Sequence, residues 1–242
     1  MSLSYFDAIV IGILQGLAEW LPISSKSFSM LYLVGLKGGD PSLAYSMSIW
    51  LHLGSFPAPL VVFRRQMVDA VRSITRPQTE GRRLLVFLTL GTLISGLVGV
   101  PLYYLTKETL AYVDERYFMI SLGGLLLITG FIDLLTRFKG TRRENSVNSE
   151  DSISIGAAQG LAALPGVSRS GVTILAASWR GFVAEASASL SFMLETLAIP
   201  SIIIFDLLSR AAESGTTALQ AVGVGELLVA AVASFVTSII VI

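Results

Sequence analysis

The sequence contains no cysteine, only one histidine and few charged residues. The absence of cysteine excludes disulfide bonds, thiolate metal sites and cysteine nucleophiles. Charged residues make up 14% of the 242 residues and the formal net charge is zero, so a nucleic-acid partner has no overall electrostatic support. Hydrophobic residues make up 53%, and the mean hydropathy of +0.72 lies outside the usual range of soluble domains. The composition therefore predicts an all-α, polytopic membrane protein.

Five segments are long and apolar enough to cross a bilayer, for which a helix needs about 20 residues. The predicted spans are 41–63, 84–105, 117–136, 186–209 and 225–242. Two pairs of shorter apolar segments, each interrupted at Leu-Pro, predict re-entrant helical hairpins over 5–36 and 153–182. No basic segment and cleavage site precede the first apolar stretch, so we expect no removable signal peptide. Three acids near span ends are expected at the membrane interface: Asp133, Asp206 and Glu226.

The basic residues of the loops set the expected orientation. Six arginines and two acids lie between Arg64 and Arg83, and the next basic cluster lies at 137–143. The positive-inside rule places both loops in the cytoplasm. The polar run 140–152 is then a flexible cytoplasmic linker between two halves, 1–139 and 153–242, whose hairpins enter from opposite sides. This arrangement predicts inverted-topology repeats with a ligand site near the midplane where they meet.

Two matching stretches support the repeat. QGLAEWLPISSKS (15–27) and QGLAALPGVSRSG (159–171) share a QGLA start, a Leu-Pro break and a serine-cation-serine sequence. With one extra residue at Trp20, Lys26 aligns with Arg169, and further along the chain His52 aligns with Glu195. Symmetry also predicts one more helix after 225–242. Either the sequence given is truncated or this protein does without that helix.

A serine-rich helix start follows each Leu-Pro break: SSKS (24–27) and SRSG (168–171). Free N–H groups and the positive dipole of a helix start favour anions, while serine either caps the helix or donates a hydroxyl to a ligand. Lys26 and Arg169 add full charges, and an unpaired arginine at the bilayer centre costs about 2.5–3.5 kcal/mol, so an anion should offset it. Because the planar fork of arginine suits phosphate, we predict a phosphate or diphosphate headgroup.

Glu19 is the second costly residue. Beside a bound phosphate it would either act as a base or hold a divalent cation, Mg²⁺ or Ca²⁺, together with Gln15 one helical turn earlier. The alternative is an ion pair of Glu19 with Arg169 or Lys26 that only stabilises the hairpins. His52 is either a core histidine bonded to a neighbouring carbonyl or a group that reaches the site.

The order of these motifs resembles that of the bacitracin-resistance type undecaprenyl-diphosphate phosphatases. QxxxE occurs as Gln15 and Glu19, PxSS as PISS (22–25), and PGxSRSGxT as PGVSRSGVT (165–173). The resemblance covers nearly the whole chain. It implies an integral membrane enzyme, built from inverted repeats with re-entrant helices, that removes the terminal phosphate of a polyprenyl diphosphate. Such an enzyme recycles a lipid carrier of cell-wall or glycan synthesis.

The resemblance also implies roles for single residues. Glu19 and Arg169 fall on the essential acid and arginine, and Ser25 falls on the proposed nucleophile. The other residues expected to bind substrate are Gln15, Ser24, Lys26, Ser27, His52, Ser168, Ser170, Gly171 and Thr173. The chain departs from the family pattern at Phe28, where the family carries a histidine suited to act as general base or acid.

Two functions therefore stay open. In the phosphatase, Ser25 or a water attacks phosphorus while Arg169 and Lys26 neutralise the phosphoryl group. The alternative is a polyprenyl-phosphate transporter or flippase, a class also built from inverted repeats with broken helices, and Phe28 favours it. The expected partners are a polyprenyl diphosphate and membrane lipids, without nucleic acid. We expect a site that opens to the extracytoplasmic side of the plasma or inner membrane, and the sequence leaves a homodimer open.

Overall fold

The computed structural model describes residues 3–76, 81–135, 137–212 and 223–242, and within these ranges the chain folds into helices without a β-strand. A π-helical turn, Leu31–Leu36, continues α2, and a 3₁₀ turn, Glu144–Ser146, precedes α9. The α-helices of these ranges are α1 Tyr5–Ala18, α2 Ser25–Met30, α3 Pro41–Trp50, α4 His52–Ser55, α5 Pro57–Val62, α6 Arg64–Arg72, α7 Gly81–Tyr112, α8 Glu115–Leu135, α9 Ser149–Leu161, α10 Arg169–Trp179, α11 Ala184–Ala212 and α12 Val224–Val241.

Four of these helices, α7, α8, α11 and α12, are long and apolar enough to cross a membrane. A fifth candidate span is the run from α3 to α6, which bends by 79° between Val62 and Arg64. This run is also interrupted at Leu51 and at Phe56, so the predicted span 41–63 is not one continuous helix. The predicted class is confirmed: the chain is an all-α, multi-pass membrane protein.

Two helix pairs are too short to cross a bilayer. The α9 helix has 13 residues and α10 has 11, which gives lengths of about 20 and 16 Å against an apolar core of about 30 Å. The pair α1 and α2 is similar, with 14 and 6 α-helical residues. Both pairs turn at the predicted Leu-Pro breaks, as re-entrant hairpins would. The inverted relation between the two halves stays a prediction.

Glycines let the first arm of each hairpin pack closely on a long helix of the other half. A Cβ at Gly16 of α1 would meet the side chain of Thr237 of α12 at 2.8 Å, and a Cβ at Gly160 of α9 would meet the side chain of Val98 of α7 at 2.6 Å. Small residues allow such backbone approach, which is how many membrane helices associate. The pairs α1–α12 and α7–α9 therefore hold the two halves of the chain together.

The segment between the halves is fixed by Arg142. Its guanidinium donates to both carboxylate oxygens of Asp151, at 3.0 and 2.6 Å, and lies 4.2 Å from the ring centre of Phe182. Asp151 also accepts from Arg180 Nε at 2.7 Å. Burial alone would raise the pKa of Asp151, but the hydrogen bonds from Arg142 and Arg180 outweigh it and hold the pKa below its ordinary value. The segment 140–152, predicted as a flexible linker, therefore carries this ion-pair network, and its last residues from Ser149 onwards belong to α9.

Asp206, which was predicted at the membrane interface, is fully buried inside the protein. Its carboxylate accepts hydrogen bonds from Ser46 Oγ at 2.8 Å, Trp50 Nε1 at 3.1 Å and Tyr103 Oη at 2.6 Å. These bonds join α3, α7 and α11 beside the site described below. Glu226 is half-buried at the start of α12, and the side chain of Asp133 lies outside the described residues.

Candidate active site

A cavity of about 290 Å³ lies where the two hairpin elbows meet. The elbows are bonded to each other: Ser170 Oγ donates to the carbonyl of Leu21 at 2.7 Å, and the backbone N–H of Gly166 donates to Ser27 Oγ at 2.9 Å. The charged and hydroxyl side chains that line the polar end of the cavity are Glu19, Ser24, Ser25, Lys26, His52, Arg169, Ser170 and Glu195. Side chains that are far apart in sequence thus form one site.

Gly166 gives the second elbow its shape. Its φ of 89° lies in the left-handed region that residues with a side chain rarely adopt, and a Cβ would collide with the side chain of Leu125. Its carbonyl accepts from Thr129 Oγ1 at 3.0 Å, which ties the elbow to α8. The glycine of the PGxSRSG sequence is therefore required by the backbone of the turn.

Glu19 forms the centre of the site. Its Oε2 accepts from Ser25 Oγ and from Gln15 Nε2, both at 2.7 Å, and its Oε1 accepts from Arg169 Nη2 at 2.6 Å. The residue is 3% exposed. A carboxylate at this distance from a serine hydroxyl is placed to accept its proton. Glu19 is thus placed both to act as a base and to form the stabilising ion pair, because the same carboxylate contacts Ser25 and Arg169.

Arg169 lies between two carboxylates. Its Nη2 contacts both Glu19 and Glu195, and its Nη1 donates to the carbonyl and hydroxyl oxygens of Ser191 at 3.2 and 3.4 Å. Its Nε is buried and has no hydrogen-bond partner. The guanidinium is therefore held in place by the protein, although its buried Nε–H has no partner among the described residues.

His52 reaches the site from α4. Its Nε2 lies 3.1 Å from Glu19 Oε2, and its Nδ1 lies 2.7 Å from the carbonyl of Ser48. Because that carbonyl can only accept, Nδ1 carries a hydrogen, and the contact of Nε2 with Glu19 requires a further proton on one of the two groups. His52 is thus both bonded to a neighbouring carbonyl and part of the site, so it joins the two roles that the sequence left as alternatives.

Phe28, which stands where the family pattern has histidine, points elsewhere. Its side chain lines a separate apolar groove together with Pro22, Gly123 and Leu127, and the residue is 38% exposed. The imidazole beside Glu19 therefore belongs to His52 of α4, and α2 contributes none.

Lys26 is buried and contacts the second hairpin. Its Nζ donates to the carbonyl of Ala162 at 2.5 Å and to that of Ala163 at 3.2 Å, and it lies 5.1 Å from the ring centre of Tyr45. In the described part of the chain it forms no ion pair with a carboxylate. Its charge is therefore free to attract an anion that enters the cavity.

Five of the predicted site residues do not line the cavity and instead bond to its frame. Ser168 Oγ accepts from the backbone N–H of Gly171 at 3.1 Å, which is the helix cap that was the simpler reading of these serines. Thr173 Oγ1 donates to the carbonyl of Arg169 at 2.8 Å. The five residues outside the lining are Gln15, Ser27, Ser168, Gly171 and Thr173.

Glu195 and Gln159 are among the lining residues that were absent from the predicted site. Glu195 contacts Arg169, and its Oε1 is buried without a hydrogen-bond partner. Gln159 donates from Nε2 to Ser95 Oγ at 3.3 Å, and its Oε1 is buried and likewise without a partner. The alignment of the two halves held the signal for both, since it pairs Glu195 with His52 and Gln159 with Gln15.

The model of the family described as "Bacitracin resistance protein BacA" matches residues 8–242. The chain belongs to this family. Its similar relatives include proteins named "Undecaprenyl-diphosphatase" from three archaea. The protein from Methanococcoides burtonii is 36% identical over 85% of this chain and 78% of its own length. The protein from Pyrobaculum aerophilum is 35% identical over 79% and 72%, and the protein from Methanopyrus kandleri is 31% identical over 97% and 85%.

BacA family membership fits the site in one specific respect. The match includes both elbows, and the structure brings their serine-cation-serine sequences to opposite sides of one cavity. The matched range therefore contains Glu19, Ser25 and Arg169, which the structure places in contact around Glu19.

Proposed function

We propose that this chain is a membrane phosphatase that hydrolyses undecaprenyl diphosphate to the monophosphate and inorganic phosphate. The observation that carries the proposal is the contact of Ser25 with Glu19, whose other carboxylate oxygen binds Arg169, in a cavity lined by all three residues. This combination of nucleophile, base and cation is what transfer of a phosphoryl group requires. Membership of the BacA family and the names of the relatives support the same reaction.

The reaction would proceed from the geometry of Glu19. Ser25 Oγ attacks the terminal phosphorus, the bond from that phosphorus to the bridging oxygen breaks, and the prenyl monophosphate leaves. Glu19 Oε2, 2.7 Å from the hydroxyl, takes its proton. Water then cleaves the phosphoserine and releases inorganic phosphate. In the variant of this scheme without a covalent intermediate, the same carboxylate activates a water that attacks directly.

Two cations would bind the terminal phosphate. Arg169 lines the cavity, and its Nη2 can exchange a carboxylate partner for a phosphate oxygen. Lys26 adds a second charge that no carboxylate neutralises in the described part of the chain. In a cavity that excludes most water, such fixed charges stabilise the developing negative charge far better than solvent does. Catalysis would therefore rest mainly on positioning and electrostatics.

A divalent cation fits this site only with help from the substrate. Gln15 donates its amide to Glu19, so this pair does not present two free oxygens, and the free carboxylate oxygen is Oε1 of Glu195. No group of three acidic or imidazole side chains among the described residues is arranged to hold a metal ion. Glu195 and Glu19 would hold the cation, with diphosphate oxygens completing its shell, as is usual for Mg²⁺. The cation would offset phosphate charge.

The transporter is not favoured. Its support was the loss of the family histidine at Phe28, and His52 now supplies an imidazole 3.1 Å from Glu19.

We infer that the protein lies in the plasma or inner membrane, because its substrate is a lipid carrier of the cell envelope. The arginine-rich loop after Val62 supports a cytoplasmic position for that end of the molecule and an extracytoplasmic opening of the site.

Purified protein in detergent with undecaprenyl diphosphate tests the proposal. We expect release of one inorganic phosphate per substrate, with undecaprenyl monophosphate as the lipid product. Binding of the lipid without any release of phosphate would contradict the proposal and return the case to the transporter.

A further inference from the structure

The cavity extends from the polar site towards the gap between α7 and α11. The hairpins contribute Glu19 and Arg169 to its lining, whereas α7 and α11 contribute mainly small and apolar residues beside the hydroxyl groups of Thr92 and Ser95. Those residues are Gly96, Gly99 and Val100 of α7 and Ala198, Ile199, Ser201, Ile202 and Phe205 of α11. The cavity is therefore amphipathic along its length, like a prenyl diphosphate.

The far end is open between the two helices. Gly96 and Ser201 both line the cavity and are both exposed on the surface of the protein. A Cβ at Gly96 would meet no atom within 4 Å, so the glycine borders open space. The cavity wall thus has a lateral opening, with Gly96 on one edge and Ser201 on the other.

The lateral opening lies at membrane depth. Gly96 is 15 residues from the start of α7 and 16 from its end, so it lies about 22–24 Å from either end of the helix at a rise of 1.5 Å per residue. Ser201 lies 17 residues after the start of α11 and 11 before its end. An opening at mid-helix faces acyl chains and not water. A molecule that enters here comes from the bilayer.

Two prolines flank the lateral opening. Pro101 lies inside α7, next to Val100, and Pro200 lies inside α11, next to Ser201. Proline removes a backbone donor and clashes with the preceding turn, which disfavours a straight helix and close packing at that level. Each helix therefore lacks one backbone hydrogen bond near the level of the opening.

We propose that the lateral opening between α7 and α11 receives the isoprenoid chain of the substrate and that its diphosphate reaches Arg169 through it. This inference rests on the proposed function. Continuity with the polar site supports this occupant, because one cavity joins Ser201 to Glu19. The apolar walls suit a hydrocarbon chain, and a glycine at the edge leaves room for its methyl branches. A water-soluble diphosphate would have no use for an entrance at this depth.

A second apolar groove offers a different path. It lies between the first elbow and α8, is lined by Phe28, Gly123 and Leu127 among others, and shares Ile23 and Ser24 with the active-site cavity. Its lining contains neither Ser25 nor Arg169. The cavity that reaches the lateral opening contains both, and for that reason we assign the chain to the gap between α7 and α11.

Substitution at the edge of the lateral opening tests this assignment. In Gly96→Phe, the new ring has space to fold but fills the entrance, so kcat/KM for undecaprenyl diphosphate should fall about tenfold or more, mainly through KM. Hydrolysis of dimethylallyl diphosphate, which has only one isoprene unit, should change much less. The matched control is Gly124→Phe on α8, where a Cβ also meets nothing within 4 Å and the residue itself lines neither the active-site cavity nor the second groove. It should leave both activities unchanged.

Equal activity of Gly96→Phe and wild type on the long substrate would overturn the assignment. An equal loss on both substrates would also overturn it, because the damage would then not depend on the chain. A photoreactive diazirine on the first isoprene units gives a readout without turnover. We expect labelled peptides from 95–101 and 198–205, whereas labelling of 123–130 would refute the proposal. Absence of phosphate release from wild type, with labelling at 95–101, would reject the phosphatase and leave the lateral opening in place.

Discussion

Replacement of Ser25 by alanine separates chemistry from structure at this site. The hydroxyl is one of three groups on Glu19 Oε2, and the other two, Gln15 Nε2 and His52 Nε2, remain in the variant. Glu19 Oε1 also keeps Arg169. No buried acceptor is left without a donor, so the stability loss should be about 1–2 kcal/mol, in the range of one hydrogen bond to a charged group.

The expected effect on activity is much larger. If Ser25 is the nucleophile, no phosphoserine can form and kcat should fall by roughly 10³-fold or more, which corresponds to about 4 kcal/mol of activation free energy. If Ser25 only orients Glu19 towards an attacking water, the loss should be nearer tenfold. The two mechanisms therefore differ by about two orders of magnitude in the same assay.

Phosphate release from undecaprenyl diphosphate at saturating substrate measures kcat, and thermal unfolding in detergent measures stability. Ser29→Ala is the matched control, because Ser29 is also buried and on α2 but contacts only Gln15, at 3.5 Å. It should keep nearly full activity. An unfolded Ser25→Ala variant would refute the structural estimate, and a folded one with more than a tenth of wild-type kcat would refute the assignment of the nucleophile.

Three further outcomes follow from the contacts of the site and of the linker. Arg169→Lys should lower kcat/KM by about 100-fold, because an ammonium cannot replace the planar fork that holds two carboxylates; wild-type turnover in steady-state kinetics would contradict this. Glu19→Gln should lower kcat by about 10²–10⁴-fold, and His52→Gln should lower it less because His52 contacts Glu19 and not Ser25; the reverse order in the phosphate-release assay would make His52 the base. Asp151→Asn should lower the thermal unfolding midpoint at neutral pH. The folded pKa of Asp151 is depressed, so its contribution is present above the unfolded value of about 4 and is lost as pH falls through the lower folded value. If the unfolding midpoints of Asp151→Asn and wild type differed equally at every pH, this role of the Asp151 carboxylate would be contradicted.

Composition and local pattern determined the class of this protein and the position of its elbows. A mean hydropathy of +0.72 indicates a membrane protein, and a Leu-Pro pair in a short apolar segment favours the end of a helix, because proline removes a donor and restricts the residue before it. The serine-cation-serine sequence likewise predicts an anion site at a helix start, whatever surrounds it. Each of these inferences depends on neighbours in sequence.

The partners of the charged groups were decided by tertiary structure. Glu19 could have paired with either cation, and only the packed helices show that it contacts Arg169, whereas Lys26 donates to the carbonyls of Ala162 and Ala163 just after α9. The contact of Glu195 with Arg169 and the contact of His52 with Glu19 likewise appear only in the folded structure. These contacts depend on which helix faces meet, and that is fixed by close packing at glycines on other helices, such as α1 against α12. Many small packing contributions far from the site therefore set its geometry, and no local pattern in the sequence contains their sum.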